Sequence, residues 1–256
     1  LEEKNAYVFT INGFPYGNFH GTRVKEQVYR PDWTTNERLD YTLLLFSILE
    51  NLLEPGEEGS VSTLPGSFKE FLPGEEIPDI LLKKMDACAL EIEKLAGPKN
   101  LDLHLGMEPE PLGLFETTPE TVSFFDKLLD MGTDEEIIRK RIGVNYDCCH
   151  LAIEFEDAHG GLDSLVKHGI RLSKLHLSSA LSAKPTENNL LRLKDFIEPV
   201  YLHQVTLGKD GQCIRRIKDL DAAIEMQMAG NLPEADEWRI HFHVPLHASP
   251  GGDMGD

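Results

Sequence analysis

Residues 101–150 read LDLHLGMEPE PLGLFETTPE TVSFFDKLLD MGTDEEIIRK RIGVNYDCCH. Two short apolar runs, LDLHLGM and RIGVNYD, bracket a stretch with helical spacing. Thr118 followed by Pro119 reads as a helix start, Val122, Phe125 and Leu129 as its apolar face, and Gly132 as its stop. Thr133 and Glu136 then stand at capping-box spacing before a short basic helix. Strand, helix and strand in that order predict parallel strands joined by a crossover. A polar residue stands near the carboxyl end of each run: Glu108 after the first, Asp147 and His150 at the second. Parallel α/β barrels gather their active sites at that end, because the loops there converge on one cavity.

The same alternation extends outward. Ala6 to Asn12 reads as a first strand, Thr34 and Glu37 as a cap for a helix over 37–53, and 60–64 as a second strand. Leu81, Met85, Cys88, Ile92 and Leu95 line a helix that Gly97 and Pro98 end. Downstream, Leu162, Leu165 and Val166 mark a helix, SKLHLSS a strand carrying His176, and PVYLHQVTL with GKDG an extra strand and turn. Asp219 caps a helix that Gly230 ends, and WRIHFHVPL is the last strand. The expected fold is therefore α/β, a TIM-type (β/α) barrel with parallel strands ending at Asn12, Leu64, Met107, Tyr146, Leu177 and Val244. A closed barrel needs eight such strands, so the expectation is a single barrel domain over 1–247 that lacks its first two βα units. Residues 248–256, ASPGGDMGD, read as a disordered or linker-like tail. The first and last strands should then not pair, and the open edge favours a partner chain or a homo-oligomer.

Composition narrows the partners. The formal net charge of -19 opposes nucleic acid, whose phosphates are held by Lys and Arg. No apolar run approaches the roughly 20 residues of a membrane span. Four cysteines, two of them adjacent (Cys148, Cys149), make neither a disulfide framework nor a CxxC pair, and a reducing cytoplasm fits them. Cys148 and Cys149 read as small buried residues, because adjacent side chains on a strand point apart.

Two carboxylates and several imidazoles at strand ends form a ligand set of hard and borderline donors, suited to a divalent metal. Glu108, Asp147, His176 and His243 are the expected ligands, with side-chain ends within about 6 Å of a common point, since direct bonds are about 2.0–2.2 Å. His241 and His243 share one strand face, and the one nearer the carboxyl end, His243, is preferred. Asn12, His20, Glu110, His150 and His203 are expected to bind substrate. Asn12 and His20 belong to the long early loop NGFPYGNFHGTRVKEQVYRPDW, which reads as a lid or clamp.

The segments NGFPYGNFHGTRVKEQVYRPDW, STLPGSFK, EPEPLGLFETTPET, GVNYDCCHLAIEFED, LSSAL, PVYLHQV and WRIHFHVPL resemble the EboE family of metabolite-traffic proteins, within the xylose-isomerase-like sugar phosphate isomerase/epimerase barrels. The resemblance covers nearly the whole chain and implies two further βα units at its start. It implies a divalent metal, Mn or Zn, held by Glu, Asp, His and Glu. Glu108, Asp147 and His176 match the first three, and His243 stands where sugar epimerases have their second Glu. The loss of that Glu bears against epimerisation by paired glutamates. His203 is similar to a histidine ligand of the endonuclease IV branch, but the acidic charge opposes a DNA substrate. The expected function is a metal-dependent isomerase or epimerase of a small sugar-like or hydroxy-carbonyl metabolite, with Glu108 or His243 moving the proton. A metal-dependent hydrolase and a non-catalytic metabolite carrier are the alternatives, and a second metal within about 4 Å would favour hydrolysis.

Overall fold

The computed structural model describes residues 2–17, 24–72, 74, 76–248, 250–251 and 254–256. The early alternation folds as expected. Strands β1 (Thr10–Asn12), β2 (Glu58–Thr63), β3 (Asp102–Met107), β4 (Ile142–Asp147) and β5 (Arg171–His176) form one parallel sheet in that order. Helices α1 (Asn36–Leu52), α2 (Asp79–Ala96), α3 (Thr118–Met131), α4 (Glu135–Arg141), α5 (Cys148–Ile153) and α6 (Ala158–Lys167) carry the crossovers. The apolar sides of these strands pack under the helices in one large core that includes Phe46, Val61, Met85, Leu103, Phe124 and Val144.

Three helix starts lie one residue from the expected cap. Thr35, not Thr34, accepts from Arg38 N at the head of α1, while Thr34 turns to Asp32. Thr117 and Glu120 form the capping box of α3, which places Thr118 inside the helix. Asp134 caps α4 in place of Thr133, whose hydroxyl bonds Asp86. In each case a second Ser, Thr or Asp beside the expected one competes for the backbone amides.

The inward face of the parallel sheet is polar. Arg171 bonds both oxygens of Asp102 (2.8 and 2.6 Å), and His104 lies between Ser173 and Glu58. A β-bulge interrupts the β4–β5 register at Val144/Asn145, so that Asn145 pairs with Lys174 and Asp147 with His176. Strand alternation would otherwise put Ser173 and His176 on opposite faces. The extra residue turns both inward, Ser173 to His104 and His176 to Asp147.

The last third departs from the expected barrel. Strands β6 (Ser179–Ala183), β7 (Val205–Lys209), β8 (Gln212–Ile217), β9 (Glu237–Val244) and β10 (Met254–Gly255) form a second sheet in the order β10-β6-β9-β7-β8, with every pairing antiparallel. WRIHFHVPL is thus the centre of an antiparallel sheet, not a closing parallel strand. The cause is local. Only Leu177 and Ser178 separate β5 from β6, too few for the dozen or so residues of a parallel crossover. Asp210 and Gly211, both at positive φ, make a tight turn that forces β7 and β8 into a hairpin. Helices α7 (Glu187–Leu193) and α8 (Leu220–Met228) cover this sheet with a separate core around Leu193, Leu207, Ile224 and Trp238.

β1 and β9 do not pair, as expected, but they belong to different sheets, so the parallel sheet is a half-barrel. Met254 is buried and pairs with Ala183, so part of the stretch read as a tail is an edge strand. Among the described residues no helix is long and apolar enough to cross a membrane.

Candidate metal centre and cavity

Glu108, Asp147 and His176 follow or end β3, β4 and β5, three neighbours in the parallel sheet. One ligand atom from each lies within 4.8 Å of the others. His176 Nδ1 is 3.0 Å from Asp147 Oδ2 and 3.4 Å from Glu108 Oε1. Asn145, on β4, donates to Glu108 Oε2 at 2.7 Å and holds that carboxylate in place. Asp147 Oδ1 accepts from Cys149 N at 2.9 Å, which caps α5 and leaves Oδ2 toward His176. The bulge in β5 is what brings His176 to this cluster.

The electrostatics favour positive charge at that point. Hydrogen bonds to Asp147 and Glu108 raise the His176 imidazole to about 9. Burial alone would raise the Asp147 carboxyl, but the field of His150, the hydrogen bond from His176 and the field of His243 hold it well below the usual carboxylate range. Two carboxylates around one imidazole nitrogen are a donor set that fits a divalent cation as well as a proton.

His243 approaches the same carboxylate from the second sheet, its Nδ1 3.9 Å from Asp147 Oδ2. Its ligand atoms group with Asp147 and His150, and with Cys149 and His241, but not with Glu108 and His176. All four expected ligands therefore meet at Asp147, although His243 comes from an antiparallel strand.

Beside this cluster lies a cavity of about 300 Å³, lined by Asn12, Glu108, Glu110, His150, His203 and His243 among others. His20 lies outside the described residues. Asn12 Oδ1 accepts from Phe14 N at 3.0 Å and from Ser62 Oγ at 3.3 Å, so its amide nitrogen is left for other partners. His150 donates from Nδ1 to Pro109 O at 2.9 Å. Burial would lower its imidazole, but Asp147, Glu110 and Glu108 raise it. His203 stacks on Phe242 with centroids 3.9 Å apart, donates to His241 O at 3.0 Å, and has Nε2 3.2 Å from Glu198 Oε1. Of the early loop, Asn12, Phe14, Pro15, Lys25, Val28 and Tyr29 reach the cavity wall.

Glu110 is the most unusual group in the wall. Burial first, and the nearby charge of Glu108 with it, pushes its carboxyl up to about 7 against the lowering field of His150. Its Oε2 is buried and has no hydrogen-bond partner. A carboxylate so placed is suited to taking and returning a proton near neutral pH.

Three contributors escaped the strand-end reading. Asn145 is an inward residue one alternation before Asp147. Gln204 donates to Pro111 O at 3.0 Å and turns Oε1 to His241 Nδ1 at 2.7 Å. His241 faces the cavity beside His243, and burial, with His150 and His243 nearby, pushes its imidazole well below the ordinary value. The shared face of His241 and His243 was the available signal for His241.

No protein-family profile matches the chain, and no curated protein does. Among solved structures it is similar to one described as a 1.8 Å crystal structure of the IolI protein with a bound zinc atom. The identity is 14% and the TM-score 0.37, over 62% of this chain and 46% of that one. The chain thus matches about half of that protein's length.

Proposed function

We propose that the protein is a metal-dependent isomerase or epimerase of a small, uncharged hydroxy-carbonyl metabolite. The observation that carries this reading is the Glu108–Asp147–His176 cluster at adjacent strand ends, with the buried carboxylate of Glu110 in the wall of the adjoining cavity. The three residues would hold a divalent cation, Mn or Zn, with His243 close enough to Asp147 to assist. A cation held there would supply Lewis-acid polarisation of a substrate carbonyl.

The chain's own residues do the rest. Glu110 removes the proton from the carbon beside the carbonyl and returns it. Tyr29, whose hydroxyl bonds Pro111 O at 3.3 Å, stands beside Glu110 and limits its movement. Asn12 offers its amide to a substrate oxygen. His150, fixed by Pro109 O, offers Nε2 to a hydroxyl. Phe14, Val28, Leu202 and Phe242 form apolar wall that excludes water and suits a substrate with a carbon face.

The wall also argues against a phosphate ester. Lys25 is the single lysine or arginine among the described lining residues. Its Nζ is already held by Asp219 Oδ2 at 2.5 Å and Glu198 O at 3.3 Å. With a net charge of -19, the molecule repels anions at long range as well. The segment resemblance to EboE proteins points to a secondary-metabolite precursor as the compound handled, processed or carried.

Deuterium exchange tests the reading. A panel of neutral hydroxy-ketones, hydroxy-aldehydes and polyol-derived ketones is incubated with metal-loaded protein in D₂O and followed by NMR. Deuterium should enter next to the carbonyl of at least one compound, and Glu110→Gln should slow it by about 10²–10⁴-fold while the metal stays bound. Exchange that survives Glu110→Gln unchanged would remove Glu110 from the chemistry. Hydrolysis of an ester or amide analogue without any exchange would favour the hydrolase alternative.

A further inference from the structure

His241 Nε2 and His243 Nε2 face each other at 3.1 Å. The partners at the far side of each ring decide what those nitrogens carry. Gln204 is oriented by its own donation to Pro111 O, so it presents Oε1 to His241 Nδ1 at 2.7 Å. The His241 proton therefore sits on Nδ1, and Nε2 is a bare lone pair. Ser178 Oγ lies 3.4 Å from Asp147 Oδ1, donates to it, and is left to accept from His243 Nδ1 at 3.0 Å. With Ser178 donating to Asp147, the His243 proton sits on Nδ1 and its Nε2 is bare as well. Two lone pairs aimed at each other across 3.1 Å repel unless something positive lies between or beside them.

A third donor stands next to the pair. Cys149, fully buried at the start of α5, has its sulfur within 4.8 Å of a nitrogen on each ring. Its thiol rests at 3.5 Å from the carbonyl of Phe242, the residue between the two histidines. A tetrahedral zinc with Zn–N bonds of about 2.0–2.1 Å sets its nitrogen ligands about 3.3 Å apart, close to the separation of this pair.

We infer that Cys149, His241 and His243 form a second cation site, for zinc or a similar borderline metal, which adjoins the Glu108–Asp147–His176 centre through His243: Nε2 of that ring faces the new site and Nδ1 lies toward Asp147. Two imidazoles and one thiolate are a set that zinc accepts, with the fourth position left for a ligand. Coordination replaces the S–H bond of Cys149 with a sulfur–metal bond and releases one proton to solvent. His241 and His243 both line the cavity, so the open position faces the space where the metabolite would bind. The hydrogen bonds of Gln204 and Ser178 act as supports that fix which nitrogen of each ring meets the metal.

Metal titration of the full chain tests this without depending on the proposed reaction. Zinc stoichiometry is measured by equilibrium dialysis and elemental analysis on wild type, Cys149→Ser, His241→Ala, His243→Gln and His176→Ala, with circular dichroism as the folding control. Wild type should bind two equivalents. Cys149→Ser and His241→Ala should each weaken one equivalent by about tenfold or more and keep the one that His176→Ala removes. His243→Gln changes a half-exposed side chain and keeps the test open if the buried variants fail to fold. Cobalt added in place of zinc should give a thiolate-to-metal charge-transfer band that His176→Ala retains and Cys149→Ser abolishes. One equivalent that is lost in the Cys149 and His241 variants alone would support this site and sink the Glu108 centre. A cobalt-loaded wild type with no thiolate band, or Cys149 and His243 variants that bind as many equivalents as wild type, would overturn it.

Discussion

Glu110 is a carboxylate whose charge the fold opposes. Burial raises it from the ordinary value of 4.5 to about 7, so the folded protein holds a proton there that the unfolded chain has lost. Stability from this group is fully present below about 4.5 and is lost as pH rises through 7. Glu110→Gln should therefore flatten the fall in stability across that window, read as the difference in urea midpoint between variant and wild type. Parallel curves for the two proteins would show that Glu110 ionises freely in the folded state. His176 has the same sign for a different reason. Its partners raise it from 6.5 to about 9, so in protein stripped of metal it stabilises below 6.5 and stops doing so as pH passes 9. The stability gap between wild type and His176→Phe should shrink over that range in thermal melts. A gap that is constant with pH would mean the imidazole does not carry the proton. Much of this was legible in the sequence. Glu108, Asp147 and His176 follow apolar runs, and parallel strands send such residues to one end. The choice of His243 over His241 rested on a parallel last strand. In an antiparallel strand the carboxyl end has no special meaning, and both residues reach the cavity. Asn145 and Gln204 act by hydrogen bonds between elements far apart in sequence, which no local pattern reveals.

Among the elements, the β7–β8 hairpin decides where the barrel stops. It is held to the rest of the molecule by Arg216, which bonds Glu154 Oε2 through Nε at 2.7 Å and lies 3.3 Å from Glu116 Oε2. Both carboxylates are buried, and burial pushes Glu154 up to about 7 in spite of Arg216. Arg216→Met would leave the buried Glu154 without its cation, while Glu116 keeps Lys69, and should cost about 3 kcal/mol, at the low end for a broken buried pair because the arginine is partly exposed. Adding Glu154→Gln should recover part of that loss, measured as the coupling in a urea-denaturation double-mutant cycle. Zero coupling would show that the pair does not anchor the hairpin. Gly208 on β7 gives a second anchor: a Cβ there would stand 2.1 Å from the Phe155 ring, which also stacks under Arg239. Gly208→Ala should lower stability by about 1–3 kcal/mol through overpacking. The turn GKDG was visible in the sequence, but reading it as an addition to a barrel concealed its role as the start of a second sheet. A hairpin commits its two strands to antiparallel pairing, and β9 then follows that pairing.

At the scale of the whole molecule, a parallel half-barrel supplies Glu108, Asp147 and His176, and an antiparallel sheet brings His203, Gln204, His241 and His243 across to them. α5 lies between the sheets, with Cys149 and Ile153 packed on Ala180 of β6. The cavity is thus a junction of two sheets, and ligand binding there should tie them together. Saturating zinc should raise Tm in wild type, by linkage of about 2.7 kcal/mol at a hundredfold excess over Kd. The central claim is that Glu108, Asp147 and His176 hold a divalent cation. The most direct measurement is an anomalous difference map from crystals of the full chain soaked in zinc or manganese, collected at the metal edge. The account predicts a peak about 2.0–2.2 Å from a carboxylate oxygen of Glu108, an oxygen of Asp147 and a nitrogen of His176. A saturated crystal with no peak among these three residues would contradict it.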